Sequence, residues 1–207
     1  MKKLFVLFAA ALLVAASPLQ AQTKAELSSI RKEAKKTSKT LTRDGFRMLE
    51  AGQLDDRMAD YLIKVHGGCT QLVGTAEGCM SINLAKVTAL NNAANEYATL
   101  CGGLVKGRLT TSVNNLSDLQ TDDLVGAYER LVYKKIQGEI ISPIILVRKT
   151  KSGYDVRAYC LVDYNASLIA QKSAFQKAIE ESGLAQEYGS QLSDWIDEGF
   201  EKMYGRD

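Results

Sequence analysis

The strongest constraint on the fold is a pair of β-rich runs in the C-terminal half of the chain. Residues 139–149 (EIISPIILVRK) and 154–163 (YDVRAYCLVD) are rich in branched and aromatic side chains, which favour strands. The connection 150–153 (TKSG) has the length and the glycine of a hairpin loop. We therefore predict an antiparallel hairpin. Because Pro143 lacks a ladder donor, its strand should join the sheet at an edge or through a bulge.

The second of these runs alternates in character. One predicted face is apolar and the other is polar: Val156, Ala158, Cys160 and Val162 against Asp155, Arg157, Tyr159 and Asp163. This alternation is typical of a sheet with one packed face and one solvated face.

Apolar residues recur at helical spacing outside the hairpin, and they predict helices at residues 24–43, 55–65, 82–99, 117–137, 166–181 and 184–203. Further strands are predicted at residues 46–49, 70–74 and 101–113, the last started and interrupted by glycine. Ser81 can cap the third helix. In that helix Ala85, Ala89 and Ala93 recur every fourth residue, which permits close approach to a sheet or another helix. We expect an α+β fold, with helices packed on one face of a small, mostly antiparallel sheet and with a C-terminal hairpin followed by two closing helices.

The first 21 residues have the layout of a secretory signal. Lys2 and Lys3 precede an apolar run too short to span a bilayer as a helix, and small residues follow it. We expect cleavage after Ala21; a cut nearer Ser17 and a retained anchor are the alternatives. The predicted organisation is a signal peptide (1–21), a helical N-terminal segment (22–65), an α+β core (66–165) and a C-terminal helical pair packed on the core (166–207).

The rest of the chain contains no second apolar run of membrane-spanning length, and no lipidation cysteine follows the signal. We therefore expect a soluble, non-lipidated protein that is exported to the periplasm or the extracellular space. Its charge argues against nucleic acid as a partner. The 26 Lys and Arg fall to 24 without Lys2 and Lys3, which equals the 24 Asp and Glu. A general polyanion binder would carry an excess of positive charge.

One segment departs from this balance. The predicted helix Lys24–Arg43 contains seven Lys or Arg against Glu26 and Glu33. The pattern predicts a patch for an acidic partner or an anionic surface polymer. The alternative is an ordinary solvated helix face.

The four cysteines leave two states open. An even number in an exported chain suggests disulfides. Cys69 and Cys79 flank a glycine-rich segment that a local bridge would close, and Cys101 and Cys160 both fall on predicted strands. The alternative is four reduced thiols that pack as small apolar side chains.

A small secreted enzyme is the alternative function, with its site near His66 and Cys69. The spacing of His66, Cys69 and Cys79 lacks the paired ligands of common zinc sites, and a Cys–His nucleophile pair needs a third orienting group. The sequence contains no phosphate-binding or dinucleotide-binding glycine motif. We therefore expect no metal and no cofactor.

Residues 82–163 are predicted to form an alanine-spaced helix, a strand, a second helix and a hairpin. With Ala85, Ala89, Ala93 and Ala98 on the helix and residues 156–162 on the last strand, this block resembles the twenty-kilodalton outer-membrane-associated lipoprotein family and the related N-terminal domain of a periplasmic flagellar-assembly protein. The resemblance implies an envelope location, no enzymatic activity and a role in assembly or adhesion. The chain departs from the lipoprotein members because it lacks the lipidation cysteine, so membrane anchoring is not implied.

These observations lead us to expect an exported, non-enzymatic binding or assembly factor of the bacterial envelope. Its partner would be an envelope protein or a surface component. The predicted partner surface combines the basic helix with the polar face of the second hairpin strand: Arg31, Lys32, Lys35, Lys36, Lys39, Arg157 and Tyr159.

Overall fold

The computed structural model describes residues 23–112 and 116–184. Over these ranges five helices and four strands follow one another as α1 Lys24–Arg43, β1 Arg47–Met48, α2 Leu54–His66, β2 Thr70–Cys79, α3 Ile82–Ser112, α4 Asp118–Glu139, β3 Ile141–Thr150, β4 Gly153–Val162 and α5 Tyr164–Ser182. The predicted α+β class is confirmed. The predicted signal peptide (1–21) and the last predicted helix, beyond Leu184, lie outside the described residues.

The predicted hairpin is confirmed and forms the centre of an antiparallel sheet with strand order β1-β3-β4-β2. Thr150 pairs with Gly153 across the loop. Gly153 has a φ of +139°, and a Cβ there would lie 2.3 Å from the Cys79 carbonyl oxygen, so the turn requires glycine. The register of β3 on β4 shifts between Ile141 and Ile144, the irregularity expected around Pro143.

Helix α3 corrects one prediction. Residues 101–113 were expected to form a strand, but the helix that begins after Ser81 continues to Ser112. Its buried side chains keep a spacing of four beyond the alanines, through Cys101, Val105 and Leu109. The same spacing is visible in the sequence, but the glycines at 102, 103 and 107 were interpreted as the start and the interruption of a strand. Ser81 caps the helix as predicted, since its Oγ accepts a hydrogen bond from the Leu84 backbone N–H at 3.2 Å.

The close approach of α3 to the sheet is confirmed. Ala85, Ala89 and Ala93 are fully buried against β2 and β4. The matching feature of the sheet is Gly74 on β2, where a Cβ would lie 1.9 Å from the Ala89 carbonyl oxygen and 2.5 Å from the Ala93 nitrogen. The helix backbone therefore rests directly on a glycine of the strand.

Helices cover both faces of the sheet, whereas the sequence predicted helices on one face. On the first face, α3 packs on β2 and β4, α4 on α3, and α5 on α4. On the second face, α1 and α2 form a separate apolar cluster with the sheet, built from Ala34, Leu41, Met58, Tyr61, Ile144, Leu146, Tyr159 and Leu161. The expected solvated face was therefore wrong at the end of β4, because Tyr159 and Leu161 are buried in this second cluster.

A buried polar network joins the helices of the first layer. The Gln171 amide nitrogen donates to the Tyr97 hydroxyl at 2.7 Å and to the Ser167 hydroxyl at 3.2 Å. The hydroxyl groups of Tyr97 and Ser167 also contact each other. Because each of these polar groups has a hydrogen-bond partner, the network connects α3 to α5 without the free-energy cost of a buried, unpaired polar group. Within the described ranges, no helix has the length and apolar character needed to cross a membrane.

Candidate functional site

The basic segment of α1 is a regular amphipathic helix whose fold does not depend on its charges. Thr23 begins it with a capping box: the Glu26 backbone N–H donates to the Thr23 hydroxyl, and the Glu26 carboxylate accepts from the Thr23 backbone N–H. A buried stripe of Ile30, Ala34, Ser38 and Leu41 faces the protein. Burial of this stripe, rather than ion pairing, holds the helix in place.

The five predicted basic residues of α1, here called the basic face, are all exposed: Arg31, Lys32, Lys35, Lys36 and Lys39. None of them lies within 4.0 Å of a carboxylate oxygen in the part of the chain that the structure describes. The structure therefore brings these predicted residues together as one unneutralised cationic surface.

A groove lies beside this surface, between α1 and the start of α2. It is lined by Lys35, Ser38, Lys39, Thr42, Arg43 and Asp55 and has a volume of about 460 Å³. Ser38, at its floor, is 1% exposed, and its hydroxyl has no hydrogen-bond partner among the described residues.

Four groove residues were not among the site residues predicted from the sequence: Ser38, Thr42, Arg43 and Asp55. Ser38 had a signal, since it continues the spacing of Ala34 and Leu41 and so belongs to the buried stripe. Asp55 gave no such signal, because its position beside α1 depends on how the two helices pack.

The two predicted surface residues of β4 lie elsewhere than expected. Tyr159 is 6% exposed, and its ring packs edge-on against Tyr61 of α2 with centroids 5.8 Å apart. It is therefore unavailable to a partner, and its assignment to the partner surface was wrong. Arg157 is half-buried, with its guanidinium 4.7 Å from the centre of the Phe46 ring. Tyr159 thus packs beneath α2, and Arg157 packs against Phe46 in the segment between α1 and β1.

An ion pair between Arg148 of β3 and Asp155 of β4 connects the strands near Phe46. Arg148 Nη2 lies 2.7 Å from Asp155 Oδ2, and Arg148 Nη1 donates to the Asp44 carbonyl oxygen at the end of α1. The Gly78 backbone N–H donates to Asp155 Oδ1 at 2.9 Å. Burial alone raises the pKa of Asp155, but these donors outweigh it and hold the pKa below its usual value. The pair therefore joins β2, β3, β4 and the end of α1.

None of the four cysteines forms a disulfide in the structure. Cys69 precedes β2 and Cys79 ends it. A ten-residue strand spans roughly 30 Å, far beyond the roughly 4.4–6.8 Å between the Cα atoms of a disulfide, so the local bridge between them is incompatible with this fold. Cys101 lies on α3 rather than on a strand, and it is buried with Cys160.

The alternative site near His66 and Cys69 lies at the end of α2, where His66 is exposed in the last turn and Cys69 follows three residues later with intermediate exposure. Cys79, at the far end of β2, does not join them. Burial and the nearby Asp163 carboxylate raise the pKa of the Cys69 thiol, which is the reverse of nucleophile activation. Among the residues that the structure describes, no group of three or more His, Cys, Asp or Glu is arranged to hold a metal ion.

No protein-family model, curated protein or solved structure matches the chain. The resemblance to envelope lipoproteins stays a prediction. In addition, the order of elements on which it was based differs from the structure, because residues 101–112 are helical and the block runs helix, helix, hairpin.

Proposed function

We propose that this protein is an exported, non-enzymatic protein of the bacterial envelope that binds an acidic envelope protein or surface component through the basic face of α1. The observation that carries the proposal is the group of five exposed cations on one helix, none of which has an ion-pair partner among the described residues. The remainder of the exported chain has no excess of positive charge to which this group would belong.

Helix stability does not account for this arrangement. Lys32 and Lys36 are four residues apart, as are Lys35 and Lys39, and like charges at this spacing destabilise an isolated helix by roughly 0.2–0.5 kcal/mol. The cations also make no ion pair that would offset this repulsion within the described chain. A negatively charged partner would relieve it, and the cluster would speed the encounter with such a partner.

The proposal favours binding over catalysis for a separate reason. The enzymatic alternative depends on His66 and Cys69, and the environment of Cys69 raises the pKa of its thiol and so disfavours the thiolate. A protein of this kind would act through an interface rather than through a reactive group.

Charge reversal tests the proposal. In cells that export the protein, chemical cross-linking followed by affinity capture should recover a stoichiometric acidic component. The triple variant Lys32→Glu, Lys35→Glu and Lys36→Glu should lose it. A matched control reverses three exposed lysines outside α1: Lys134→Glu, Lys135→Glu and Lys151→Glu. Both triples change the net charge equally, so loss of the partner in both would contradict a role for α1 itself.

Two further measurements test the proposal: the salt dependence of partner capture and the effect of substitutions at His66 and Cys69. Raising the salt from 0.1 M to 1 M shortens the screening length from about 10 Å to about 3 Å, so the captured amount should fall steeply. His66→Ala and Cys69→Ala should leave capture unchanged. If these two variants abolish the cellular phenotype while the α1 triple retains it, a site near His66 is the better account.

A further inference from the structure

We infer that the groove between α1 and α2 is a binding site for a phosphate group carried by the anionic partner. This inference rests on the proposed function and assigns part of the recognition to a defined set of donors. Of the six lining residues, three are cationic and one is acidic, so the lining has a formal charge of +2. Such a lining favours a doubly charged oxyanion over a neutral ligand.

The donors of the groove suit a tetrahedral anion. Lys35 and Lys39 lie one turn apart on α1, and Arg43 follows one further turn along the same helix. The hydroxyl groups of Ser38 and Thr42 belong to the same lining. Ammonium, guanidinium and hydroxyl donors of this kind can together donate hydrogen bonds to the oxygens of one phosphate group.

One observation indicates that a polar group of the groove is unsatisfied. The buried hydroxyl of Ser38 has no hydrogen-bond partner among the described residues, although such groups are almost always paired. The start of α2 does not add to this, because Asp55 and Asp56 already place two carboxylates in its first turn.

Asp55 makes the inference sharply testable because it opposes the ligand. Its carboxylate would repel a phosphate group, so removing its charge should strengthen binding, while removing Lys35 or Lys39 should weaken it. The matched control is the pair Lys32 and Lys36, which has the same spacing on the same helix but does not line the groove. A non-specific electrostatic attraction would respond to all four lysines alike.

The experiment is a titration of the purified protein with sodium phosphate at constant ionic strength, followed by amide NMR. Saturable shifts should centre on residues 35–43 and 54–56. Lys35→Ala and Lys39→Ala should each weaken binding about fivefold, and Asp55→Asn should strengthen it about fivefold, as expected for one charge at short range. The double variant Lys32→Ala, Lys36→Ala should stay within about twofold of the wild type, since these charges are further from the site.

Ser38→Ala should weaken phosphate binding without lowering the free energy of unfolding, because the Ser38 hydroxyl has no hydrogen-bond partner to lose among the described residues. Vesicles of phosphatidylglycerol, compared with phosphatidylcholine, distinguish a lipid headgroup from a soluble phosphate source. Non-saturable shifts, equal shifts with acetate, or equal effects of both lysine pairs would overturn the inference. If phosphate fails to bind but the charge-reversed α1 triple still loses its partner, the proposed function stands and only the phosphate site is wrong.

Discussion

Replacing Gly74 by alanine is the most severe single-methyl change that the packing of α3 predicts. The added Cβ would lie 1.9 Å from the Ala89 carbonyl oxygen, 2.5 Å from the Ala93 nitrogen and 2.9 Å from the Ala93 Cβ, where ordinary contacts begin at 3.4 Å. Relief of the first contact therefore requires a shift on the order of 1.5 Å. Two of the three obstacles are backbone atoms, so no side-chain rotation can provide it.

The expected loss of stability follows from that shift. A gap of about 0.5–1 Å already forfeits a quarter to a half of the dispersion energy between packed atoms. Added methylenes in packed cores destabilise by about 1–3 kcal/mol, and a backbone obstacle places Gly74→Ala at about 3 kcal/mol. Urea unfolding followed by far-UV circular dichroism measures this change as a lower midpoint at an unchanged slope.

Gly126→Ala is the matched control. Gly126 is exposed on α4, and a Cβ there would meet nothing within 4 Å. Because alanine favours the helix over glycine, this variant should gain about 0.5–1 kcal/mol. Wild-type stability of Gly74→Ala, with the expected gain in Gly126→Ala, would refute the close contact of α3 with the sheet.

Three other predictions concern polar groups under the helices. Because hydrogen bonds lower the pKa of Asp155 in the folded state despite its burial, its stabilising contribution is present above the unfolded pKa near 3.8 and is lost as the pH falls through the folded value. Arg148→Ala should therefore lower the free energy of unfolding by about 1–3 kcal/mol at neutral pH. This is less than for a fully buried ion pair, because the Arg148 side chain is about a third exposed. The difference in stability between variant and wild type should become smaller in unfolding curves measured at acid pH. Tyr61→Phe removes a buried hydroxyl with no partner in the described chain, so urea unfolding should show no loss and up to about 1 kcal/mol of gain. Burial raises the pKa of Cys160 to about 12, so native alkylation at pH 8 should spare it and label the partly exposed Cys79, and intact mass should show four free thiols.

Each of these has a contradicting result. A deficit in Arg148→Ala that persists unchanged below pH 3 would mean that the ion pair is not its source. A loss of more than about 1 kcal/mol in Tyr61→Phe would mean that the hydroxyl has a partner. A mass lower by two hydrogens would indicate a disulfide, which in this fold cannot join Cys69 to Cys79.

Local rules gave the elements of the fold where a short segment carries its own signal. The hairpin was predicted because the glycine and the β-rich runs act within one stretch of chain. Ser117 is a similar case: it lies where α4 was predicted to begin, and its hydroxyl accepts a hydrogen bond from the Gln120 backbone N–H. Such signals depend on neighbours in sequence, so no knowledge of the packing was required.

The failures share a tertiary cause. Gly102 suggested a break, but it is buried within α3 where a Cβ would lie 2.0 Å from a carboxylate oxygen of Glu129 on α4. It is a point of close helix packing rather than the interruption of a strand. Tyr159 is similar, because its alternation with apolar residues predicted a solvated face, and only the position of α2 shows that this face is covered.

Only part of the candidate site could be predicted from the sequence, because helical spacing predicts which residues of α1 are exposed but not how α1 packs beside α2. The exposure of Lys32 and Lys36 follows from helical spacing within α1 alone. The groove does not, since Asp55 reaches it from a second helix and Ser38 is informative only because its hydroxyl has no hydrogen-bond partner among the described residues.

The most direct test of the central claim is site-specific photo-cross-linking in cells that produce the protein. A photoreactive residue at position 36, on the basic face, is compared with one at position 134, on the exposed side of α4. The proposal predicts a discrete adduct from position 36 that disappears when Lys32 and Lys35 are reversed to glutamate, and no adduct from position 134. Adducts of equal yield from both positions, or an adduct from position 134 alone, would contradict binding through α1.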